Sequence, residues 1–410
     1  MMKRFIFAVC CLTAAMLGAV SCRNNAERKN NDASSADSVV ICGYTYPAGS
    51  PVANHGSLKV DGIQLCDQNG QAVQLAGMST MGWQWCAECY TDQSIKELVD
   101  EWHINILRLA MYIDEGGYNT KPEESRDMMC KLIETCGRLG IYCIVDWHIL
   151  TPGNPENIAY ADAFGFISYI SNKYAGAPHV IYEICNEPNG NDATWEVISS
   201  YANKIIPVIH WAAESHNSPH PIVICGTPQW DQLVDAPLKV GRYQGNNKDL
   251  DAKLDDRDAR LKFDNVMYTF HFYAASHNEG FPKDGKENYY NMYKYMYEVL
   301  GKLPVFCSEF GSVEASGDGK PDLDRTDKWL LMFQGNNAGK QKVSFCNWSY
   351  SDKNEGSAAL QPGSCKEGNW NNTTTSGNYI KRVLSVVNTG KEDTTVLKKS
   401  NLYVLQEDKK

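Results

Sequence analysis

The chain has 410 residues, 43% of them hydrophobic, with a formal net charge of −10 and a pI of about 5.4. This acidic balance argues against nucleic acid or an anionic lipid surface as the ligand, and it favours a neutral polymer. Between its polar ends lie roughly 350 residues, which is large for one hydrophobic core but normal for a barrel.

The first 22 residues predict an export signal. A basic start, Met1 to Arg4, precedes an apolar stretch, 5–20, that is too short to span a bilayer comfortably. The stretch runs into small residues and then Cys22, which resembles the lipobox of a bacterial lipoprotein, where cleavage precedes the cysteine and the cysteine is acylated. An ordinary signal peptide cut nearby is the alternative. The lipobox and the ordinary signal peptide both predict export. The lipobox also predicts an outer-membrane or periplasmic lipoprotein, with the cell surface as a further location.

Two polar segments flank the part of the chain that can form a core. Residues 23–42 are rich in Asn, Ser and charge and predict a flexible tether, while residues 391–410 predict a polar tail with no clear place in the fold. The prediction is therefore a signal at 1–22, a tether at 23–42, one folded domain at 43–390 and a tail at 391–410.

Short apolar segments alternate with helical patterns eight times along this domain. Near-continuous apolar runs are typical of strands buried on both faces. The gaps carry helix signals: Pro122 opens a segment with one apolar face that Gly140 ends, and further helices are expected at 194–217 and 289–300. Eight such units predict a (β/α)8 TIM barrel of the α/β class. The predicted strands are 74–80, 104–112, 141–149, 180–186, 221–227, 265–273, 303–309 and 342–348.

Two further segments have a predicted place around the barrel. Residues 56–70 contain Asp-Gly and Asn-Gly turns, which predict a β-hairpin that closes the barrel bottom. Residues 245–262 are highly charged and predict a surface insertion before the sixth strand.

The cysteines leave the redox chemistry open. Cys86 and Cys89 have the spacing of a redox or zinc half-site, but no second Cys or His pair is close in the sequence. For Cys86 and Cys89 the alternatives are a metal or redox site and a local disulfide. For the protein as a whole we expect no metal and no cofactor. The cysteines expected as small core residues of strands are Cys143, Cys185, Cys225, Cys307 and Cys346.

Chemistry in such barrels is located where strands end and the following loops begin. Glu187 follows the fourth predicted strand and Glu309 ends the seventh, so we expect two carboxylates to face each other across a pocket at one rim. Hydrolysis of a glycosidic bond needs such a pair, one acid to protonate the leaving oxygen and one carboxylate to attack or to activate water. Other residues expected at this rim are Arg108, Tyr112, His148, Asn186, Trp230, His271, Tyr273 and Trp348.

These strand ends resemble glycoside hydrolase family 5, the retaining β-glycanases, over nearly all of residues 50–388. The Asn-Glu-Pro that begins at Asn186 and the Ser-Glu-Phe-Gly around Glu309 match the family's defining pair. Asp-Trp-His and His-Phe-Tyr at the third and sixth strands extend the match. The segment 347–360 is similar to the bacterial endoglucanase branch, whose loop after the eighth strand presents a Trp, a Lys and a Glu to glucose hydroxyls.

The resemblance implies a role for each site residue. Glu187 would be the general acid/base, with a raised pKa, and Glu309 the nucleophile, kept ionised by Arg108. Tyr273 would donate a hydrogen bond to the nucleophile. Asn186 would contact the sugar 2-hydroxyl, and His148 and His271 would orient the substrate and the acid. Trp348 would be the floor on which the sugar stacks. The other residues implied along the substrate cleft are Met81, Trp85, Cys86, Tyr112, Trp230, Ala315, Ser316, Lys353 and Glu355.

One position departs from this branch. Met81 stands where the branch usually has a histidine that contacts sugar in a glycone-side subsite. The change removes a polar contact and adds an apolar one. We therefore expect catalysis to survive, and either substrate binding or the preference among β-glucan, mannan and xylan to shift.

The resemblance predicts a retaining endo-β-1,4-glucanase that acts as a monomer on a β-1,4-linked polysaccharide and contacts membrane only through its lipid anchor. A mannanase or xylanase of the same fold and mechanism is one alternative. A metal-dependent hydrolase with His148 and His271 as ligands is another, although such barrels usually carry a His pair on the first strand. A catalytically silent surface glycan-binding lipoprotein is the third, which loss of either glutamate would indicate.

Overall fold

The structure is a computed structural model, and it describes residues 37–238, 258–277 and 292–402. The predicted signal, Cys22 and residues 245–257 of the predicted insertion lie outside these ranges. Within them, no helix is long and apolar enough to cross a membrane.

A closed barrel of eight parallel strands forms the centre of the fold, and it confirms the predicted architecture. Almost every residue of these strands is buried, because helices cover the outside while side chains fill the inside. Each predicted strand is found with its ends moved by at most three residues. Four short strands come first, β1 (Ser38–Ile41), β2 (Tyr44–Pro47), β3 (Lys59–Asp61) and β4 (Gln64–Cys66), and the barrel follows as β5 (Ala76–Thr80), β6 (Ile106–Tyr112), β7 (Tyr142–His148), β8 (Val180–Glu183), β9 (Val223–Cys225), β10 (Val266–Tyr273), β11 (Val305–Gly311) and β12 (Ser344–Tyr350).

Helices connect the strands where the sequence predicts them. The helix that Pro122 opens ends at Gly140, whose φ of 71° is the left-handed conformation common after a helix, and Met129 and Ile133 lie on its buried face. The helices are α1 (Pro51–His55), α2 (Trp83–Cys86), α3 (Asp92–Asp100), α4 (Pro122–Leu139), α5 (Ala163–Lys173), α6 (Trp195–Ser215), α7 (Pro228–Asp231), α8 (Met292–Val299), α9 (Leu323–Phe333), α10 (Ser364–Glu367) and α11 (Thr375–Thr389).

The hairpin of β3 and β4 closes the end of the barrel where the strands begin, as predicted. Leu58 and Leu65 pack in one buried cluster with residues at the strand starts, among them Ile106. The backbone N–H of Val60 donates to the side chain of Asn265, just before β10, at 2.9 Å. The opposite rim, where the strands end, is therefore the end left for a site.

Two predicted boundaries differ from the structure. Residues 38–41 were expected in the tether but form β1, which pairs antiparallel with β2. The described part of the predicted tail, residues 391–402, packs against the domain. The buried carboxylate of Asp327 accepts hydrogen bonds from the backbone N–H groups of Leu397 and Lys398 at 2.7 and 3.1 Å. Val396 is buried beside them. A buried acid needs such donors, and the tail supplies them.

Candidate active site

A cavity of about 510 Å³ opens at the carboxyl ends of the barrel strands. Its wall combines acidic, imidazole and aromatic side chains, a combination that can both bind a ligand and act on it chemically. The predicted residues that line it are Met81, Tyr112, His148, Glu187, Trp230, His271, Tyr273, Glu309, Ala315, Ser316, Trp348, Lys353 and Glu355.

Four predicted residues lie elsewhere. Arg108 and Asn186 are fully buried beneath the cavity floor, where they contact each other. Trp85 is 45% exposed and packs edge-on against Tyr112, with ring centroids 5.0 Å apart, so it extends the aromatic surface outward. Cys86 is buried and does not reach the cavity wall, so a direct contact of this residue with substrate does not follow from its position.

The two glutamates meet across the cavity. A carboxylate oxygen of Glu187 lies within 4.8 Å of one of Glu309. The register of β10 against β11 places His271 directly beside Glu309 on the neighbouring strand. Retaining glycosidases have carboxyl groups about 5–5.5 Å apart, whereas inverting ones keep about 6.5–9.5 Å for a water molecule. The observed separation therefore matches a retaining geometry.

Glu309 has a donor on each carboxylate oxygen. Arg108 Nη1 lies 2.9 Å from Oε2, and the Tyr273 hydroxyl donates to Oε1 at 2.8 Å. Burial raises the pKa of Glu309, as does the charge of Glu187, while His271 and Arg108 oppose this rise. Hydrogen bonds to the charged form favour that form. Glu309 is thus the carboxylate of the pair that is equipped to remain an anion.

Glu187 has the opposite environment. Burial raises its pKa to about 8, and the charge of Arg108 only partly opposes this. Its Oε1 lies 2.8 Å from Nδ1 of His271, whose own pKa is lowered to about 4, mainly by burial. A neutral imidazole stabilises a carboxylate far less than a cation would. Glu187 therefore keeps its proton near neutral pH and has the properties of a general acid.

Arg108 holds three carboxylates in the floor of the site. Its Nε lies 2.7 Å from Glu183 and its Nη2 lies 2.9 Å from Asp146, in addition to the contact with Glu309. Nη2 also donates to the Asn186 side-chain oxygen at 2.5 Å. Because the guanidinium presents a rigid set of donors, it fixes all four partners at once. Glu183 was missed by the sequence reasoning, although an acid inside an apolar strand was an available signal.

A second set of contacts joins this network to Glu187. The Ser308 hydroxyl donates to Glu183 Oε1 at 2.5 Å. His271 Nε2 lies 2.9 Å from the same hydroxyl oxygen. The ring of His271 is therefore held on both edges, by Ser308 and by Glu187. Ser308 directly precedes Glu309 in the sequence, and this position was an available signal.

Aromatic stacking shapes one wall of the cavity. The ring of His148 stacks on Trp348 with centroids 5.5 Å apart and planes 12° apart. The ring of Tyr112 contacts both, with centroids 4.3 Å from His148 and 6.4 Å from Trp348. His148 Nδ1 lies 2.7 Å from Asp146. Burial lowers the pKa of His148 to about 3, and the charge of Arg108 adds to this, so the ring is neutral. These contacts fix Trp348 as one rigid face of the cavity.

Trp230 reaches the cavity through a left-handed turn. Gln229, Trp230 and Asp231 have φ angles of 60°, 56° and 58° within the segment α7. This conformation costs roughly 1–2 kcal/mol for each L-residue, so it persists only where contacts enforce it. Here the Trp230 N–H donates to the Pro188 carbonyl at 3.0 Å, and Asp231 accepts from the Thr227 N–H at 2.5 Å. The result is a tryptophan that is 43% exposed at the cleft.

The loops after β11 and β12 supply polar groups. Lys353 Nζ lies 2.6 Å from Glu355, which also accepts from Ser357 at 2.9 Å. The Ala315 N–H donates to the Ser276 hydroxyl at 2.9 Å. Four further residues line the cavity but were not predicted from the sequence, where proximity to a strand end was their only signal. They are Leu150, Gln232, His277 and Gly317.

A disulfide joins Cys89 to Cys365, which are 276 residues apart. A local bond between Cys86 and Cys89, which the sequence left open, is therefore not formed, and Cys86 is a free, buried thiol. The bond ties the loop after β5 to α10, which follows the loop after β12. The cysteines predicted inside strands are free and buried, as expected.

The family model for cellulase, glycosyl hydrolase family 5, matches residues 66–354. The chain belongs to this family. Endoglucanase E-5 of Thermobifida fusca is 38% identical over 82% of this chain and 65% of that protein. An endoglucanase of Clostridium saccharobutylicum is 37% identical over 84% of this chain and 69% of that protein. The chain thus spans about two thirds of the length of these curated relatives.

Solved structures agree with this family. Cellulase Cel5C_n superposes with a TM-score of 0.70 and 40% identity, covering 83% of this chain and 95% of that one. The catalytic domain of Thermobifida fusca endoglucanase Cel5A (E5), in complex with cellotetraose, superposes with a TM-score of 0.69 and 35% identity. The match covers 82% of this chain and 100% of that one. The predicted family and fold are confirmed, and the chain is a glycoside hydrolase.

Proposed function

We propose that the protein is a retaining endo-β-1,4-glucanase that cleaves internal bonds of β-1,4-glucan by double displacement. The approach of Glu187 and Glu309 to within 4.8 Å carries this proposal, because it leaves no room for the water that an inverting enzyme places between its carboxylates. The endoglucanase names of the relatives and the cellotetraose in one structural neighbour support a β-1,4-linked glucose polymer.

In the first step, Glu187 gives its proton to the glycosidic oxygen while Glu309 attacks the anomeric carbon. The bond to the leaving sugar breaks, its electron pair stays on the protonated oxygen, and a glycosyl ester forms on Glu309. Arg108 and Tyr273 contact the Glu309 carboxylate at 2.9 and 2.8 Å. They stabilise its negative charge before the attack and again when hydrolysis of the ester restores that charge.

In the second step, Glu187 is now a carboxylate and removes a proton from water. The hydroxyl oxygen attacks the anomeric carbon, the ester bond to Glu309 breaks, and the sugar is released with its original configuration. The rise of the Glu187 pKa to about 8 favours both roles, because a group that titrates close to the working pH can give and take a proton.

The substrate runs along the cavity between its aromatic faces. Trp348 offers a flat surface for the apolar face of the reacting sugar, and Trp230 and Trp85 extend it toward solvent. Lys353 and Glu355 offer charged donors and acceptors to glucose hydroxyls. The amide nitrogen of Asn186 donates one hydrogen to the Ile149 carbonyl at 2.9 Å, and its side-chain oxygen accepts from Arg108. We propose that its second amide hydrogen reaches the 2-hydroxyl from beneath the cavity floor.

The alternatives have less support. Mannan or xylan as the backbone would keep the same chemistry, and Met81 in the cavity wall is the residue that would favour such a shift. A metal-dependent hydrolysis would need free imidazoles and a free carboxylate. Both ring nitrogens of His271 are instead engaged, Nδ1 by Glu187 at 2.8 Å and Nε2 by the Ser308 hydroxyl at 2.9 Å, and Arg108 already covers Glu309.

We also propose that the protein is exported and that Cys22 carries a lipid anchor. The small residues before this cysteine support the proposal, as does the Cys89–Cys365 disulfide, because such bonds persist in oxidising compartments. Metabolic labelling with a palmitate analogue tests it: label should enter the wild-type protein and be lost in Cys22→Ser.

The activity is tested by reducing-end release from carboxymethylcellulose, β-mannan and xylan, with Glu187→Gln and Glu309→Gln beside the wild type. We expect the cellulose derivative to be the best substrate and both variants to lose orders of magnitude in rate. Activity confined to mannan or xylan would overturn the substrate but keep the mechanism. Oligosaccharide binding without hydrolysis of any polymer would favour a glycan-binding protein.

A further inference from the structure

A series of buried hydrogen bonds runs from Arg108 to Glu187, the acid of the proposed reaction. Arg108 Nε donates to Glu183 Oε2 at 2.7 Å, and the Ser308 hydroxyl donates to Glu183 Oε1 at 2.5 Å. His271 then joins Ser308 to Glu187, with one ring nitrogen on each. All five residues are buried. We call them the Ser308 network.

The hydrogen positions in this network follow from its first member. The guanidinium of Arg108 has only donors, so it favours the charged, accepting form of Glu183 and opposes the rise in pKa that burial causes there. Ser308 has a single hydroxyl hydrogen, which it gives to Glu183. The Ser308 oxygen is left as an acceptor, so Nε2 of His271, at 2.9 Å, is the donor.

This donor sets the tautomer of the ring. His271 is neutral, because burial lowers its pKa to about 4. A neutral imidazole carries one hydrogen, and with that hydrogen on Nε2 the lone pair is on Nδ1. Nδ1 lies 2.8 Å from Glu187 Oε1. A carboxylate at this distance would set two lone pairs against each other, whereas a carboxylic acid donates its hydrogen to Nδ1.

We propose that Ser308 is a positioning residue that keeps the proton on Glu187 by fixing the tautomer of His271. The inference rests on the proposed role of Glu187 as the acid. Without the Ser308 oxygen, the N–H at Nε2 is a buried donor without an acceptor, which is costly. The hydrogen then favours Nδ1, where it is donated to Glu187 and stabilises the carboxylate. Ser308 is fully buried and does not line the cavity, so it acts only through His271.

Other titratable groups face the pair of His271 and Glu187 from the neighbouring elements. Asp231 Oδ2 lies 3.4 Å from Nδ1 of His271 without a hydrogen-bond partner among the described residues, and burial raises the pKa of Asp231 well above its usual range. Burial also raises the pKa values of Tyr112 and Tyr273, which stay neutral. The remaining groups are Arg108 on β6, Asp146 and His148 on β7, Glu183 on β8 and Glu309 on β11. Variants that differ only at position 308 share all of these groups.

The test compares Ser308→Val with Ser308→Thr, because the two side chains have nearly the same shape and only threonine keeps a hydroxyl. The assay is the pH dependence of kcat/KM on a soluble cellulose derivative, whose basic limb follows the pKa of Glu187, about 8 in the wild type. In Ser308→Val the limb should move to lower pH by about one unit, which is about a tenfold loss of kcat/KM on the alkaline side. Ser308→Thr should keep the wild-type limb. Ser308→Ala, which adds no volume, should move it in the same direction as valine does.

An aryl cellobioside with a good leaving group separates this inference from the proposed function. Departure of that group needs no proton, so wild-type kcat/KM on this substrate should lack the basic limb that the cellulose derivative shows. A basic limb shared by both substrates would overturn the acid role of Glu187, and this inference with it.

Nitrogen NMR of isotope-labelled histidine shows the tautomer directly. The signal of His271 Nδ1, identified by its loss in His271→Gln, should be that of an unprotonated nitrogen in the wild type and in Ser308→Thr. In Ser308→Val it should be that of a protonated nitrogen. The same tautomer in both variants, or equal limbs in both, would overturn the proposal. So would a move to higher pH in Ser308→Val, since it would mean that the hydrogens point the opposite way along the network. A lower Tm with an unmoved limb would leave Ser308 a structural residue only.

Discussion

Removal of the Tyr273 hydroxyl should weaken the nucleophile without disturbing the fold. Tyr273 donates to Glu309 Oε1 at 2.8 Å, and both residues are buried. Tyr273→Phe keeps the ring and deletes only this donor. The carboxylate then retains Arg108 on Oε2 but has lost its donor on Oε1.

The expected magnitude follows from that contact. A hydrogen bond to a charged group contributes about 1.5–3 kcal/mol, and 1.36 kcal/mol corresponds to one pKa unit or to a tenfold change in rate. Loss of the bond should raise the pKa of Glu309 by about one to two units. It should also lower kcat by about 10- to 100-fold, because a more basic carboxylate departs more slowly from the glycosyl ester.

The assay is the pH dependence of kcat and kcat/KM on a soluble cellulose derivative. In Tyr273→Phe the acidic limb should move to higher pH, because more of Glu309 is protonated at a given pH. The matched control is Tyr268→Phe on the same strand, whose hydroxyl accepts from the Leu261 N–H at 3.0 Å. That variant should lose about 1 kcal/mol of stability and little activity. Equal kcat in both variants, with an unmoved acidic limb, would refute the reasoning.

Three further predictions rest on single contacts. Because the pKa of Glu187 is raised to about 8 and only its protonated form can serve as the acid, kcat/KM should fall as pH rises past about 8. A value of kcat/KM that stays unchanged well above that pH would contradict the assignment. Met81→His should change the ratio of rates on β-glucan, mannan and xylan while hydrolysis continues, and parallel kinetics with unchanged ratios would dismiss a role for Met81 in selectivity. Cys365→Ser, which opens the bond to Cys89, should lower the free energy of unfolding by about 2–5 kcal/mol in denaturant titrations, with Cys86→Ser as the control; equal stability of the two variants would argue against the disulfide.

The barrel was predictable because its signals are local and repeated. Each strand is a short apolar run between helical segments, and the ends of these runs carry the polar residues of the rim. Glu187 and Glu309 could be placed across from each other because parallel strands of a barrel end on one face. Their separation could not be predicted, since it depends on the barrel's closure and on side-chain rotamers.

The supporting contacts were not predictable for a different reason. Glu183 and Ser308 matter through partners that are distant in sequence, and no local pattern reveals such pairing. The disulfide illustrates the same limit: Cys89 has a cysteine three residues away, yet its partner Cys365 lies 276 residues along the chain. The left-handed turn at Trp230 also arises from tertiary contacts that override local preference.

Trapping of the glycosyl-enzyme tests the central claim most directly. A 2-deoxy-2-fluoro-cellobioside with a good leaving group slows both steps but slows release more, so the ester accumulates and can be located by peptide mass spectrometry. The account predicts one fluoroglycosyl group per chain, attached to Glu309, with no adduct in Glu309→Gln. An adduct on Glu187, or turnover to the inverted anomer without any adduct, would contradict it.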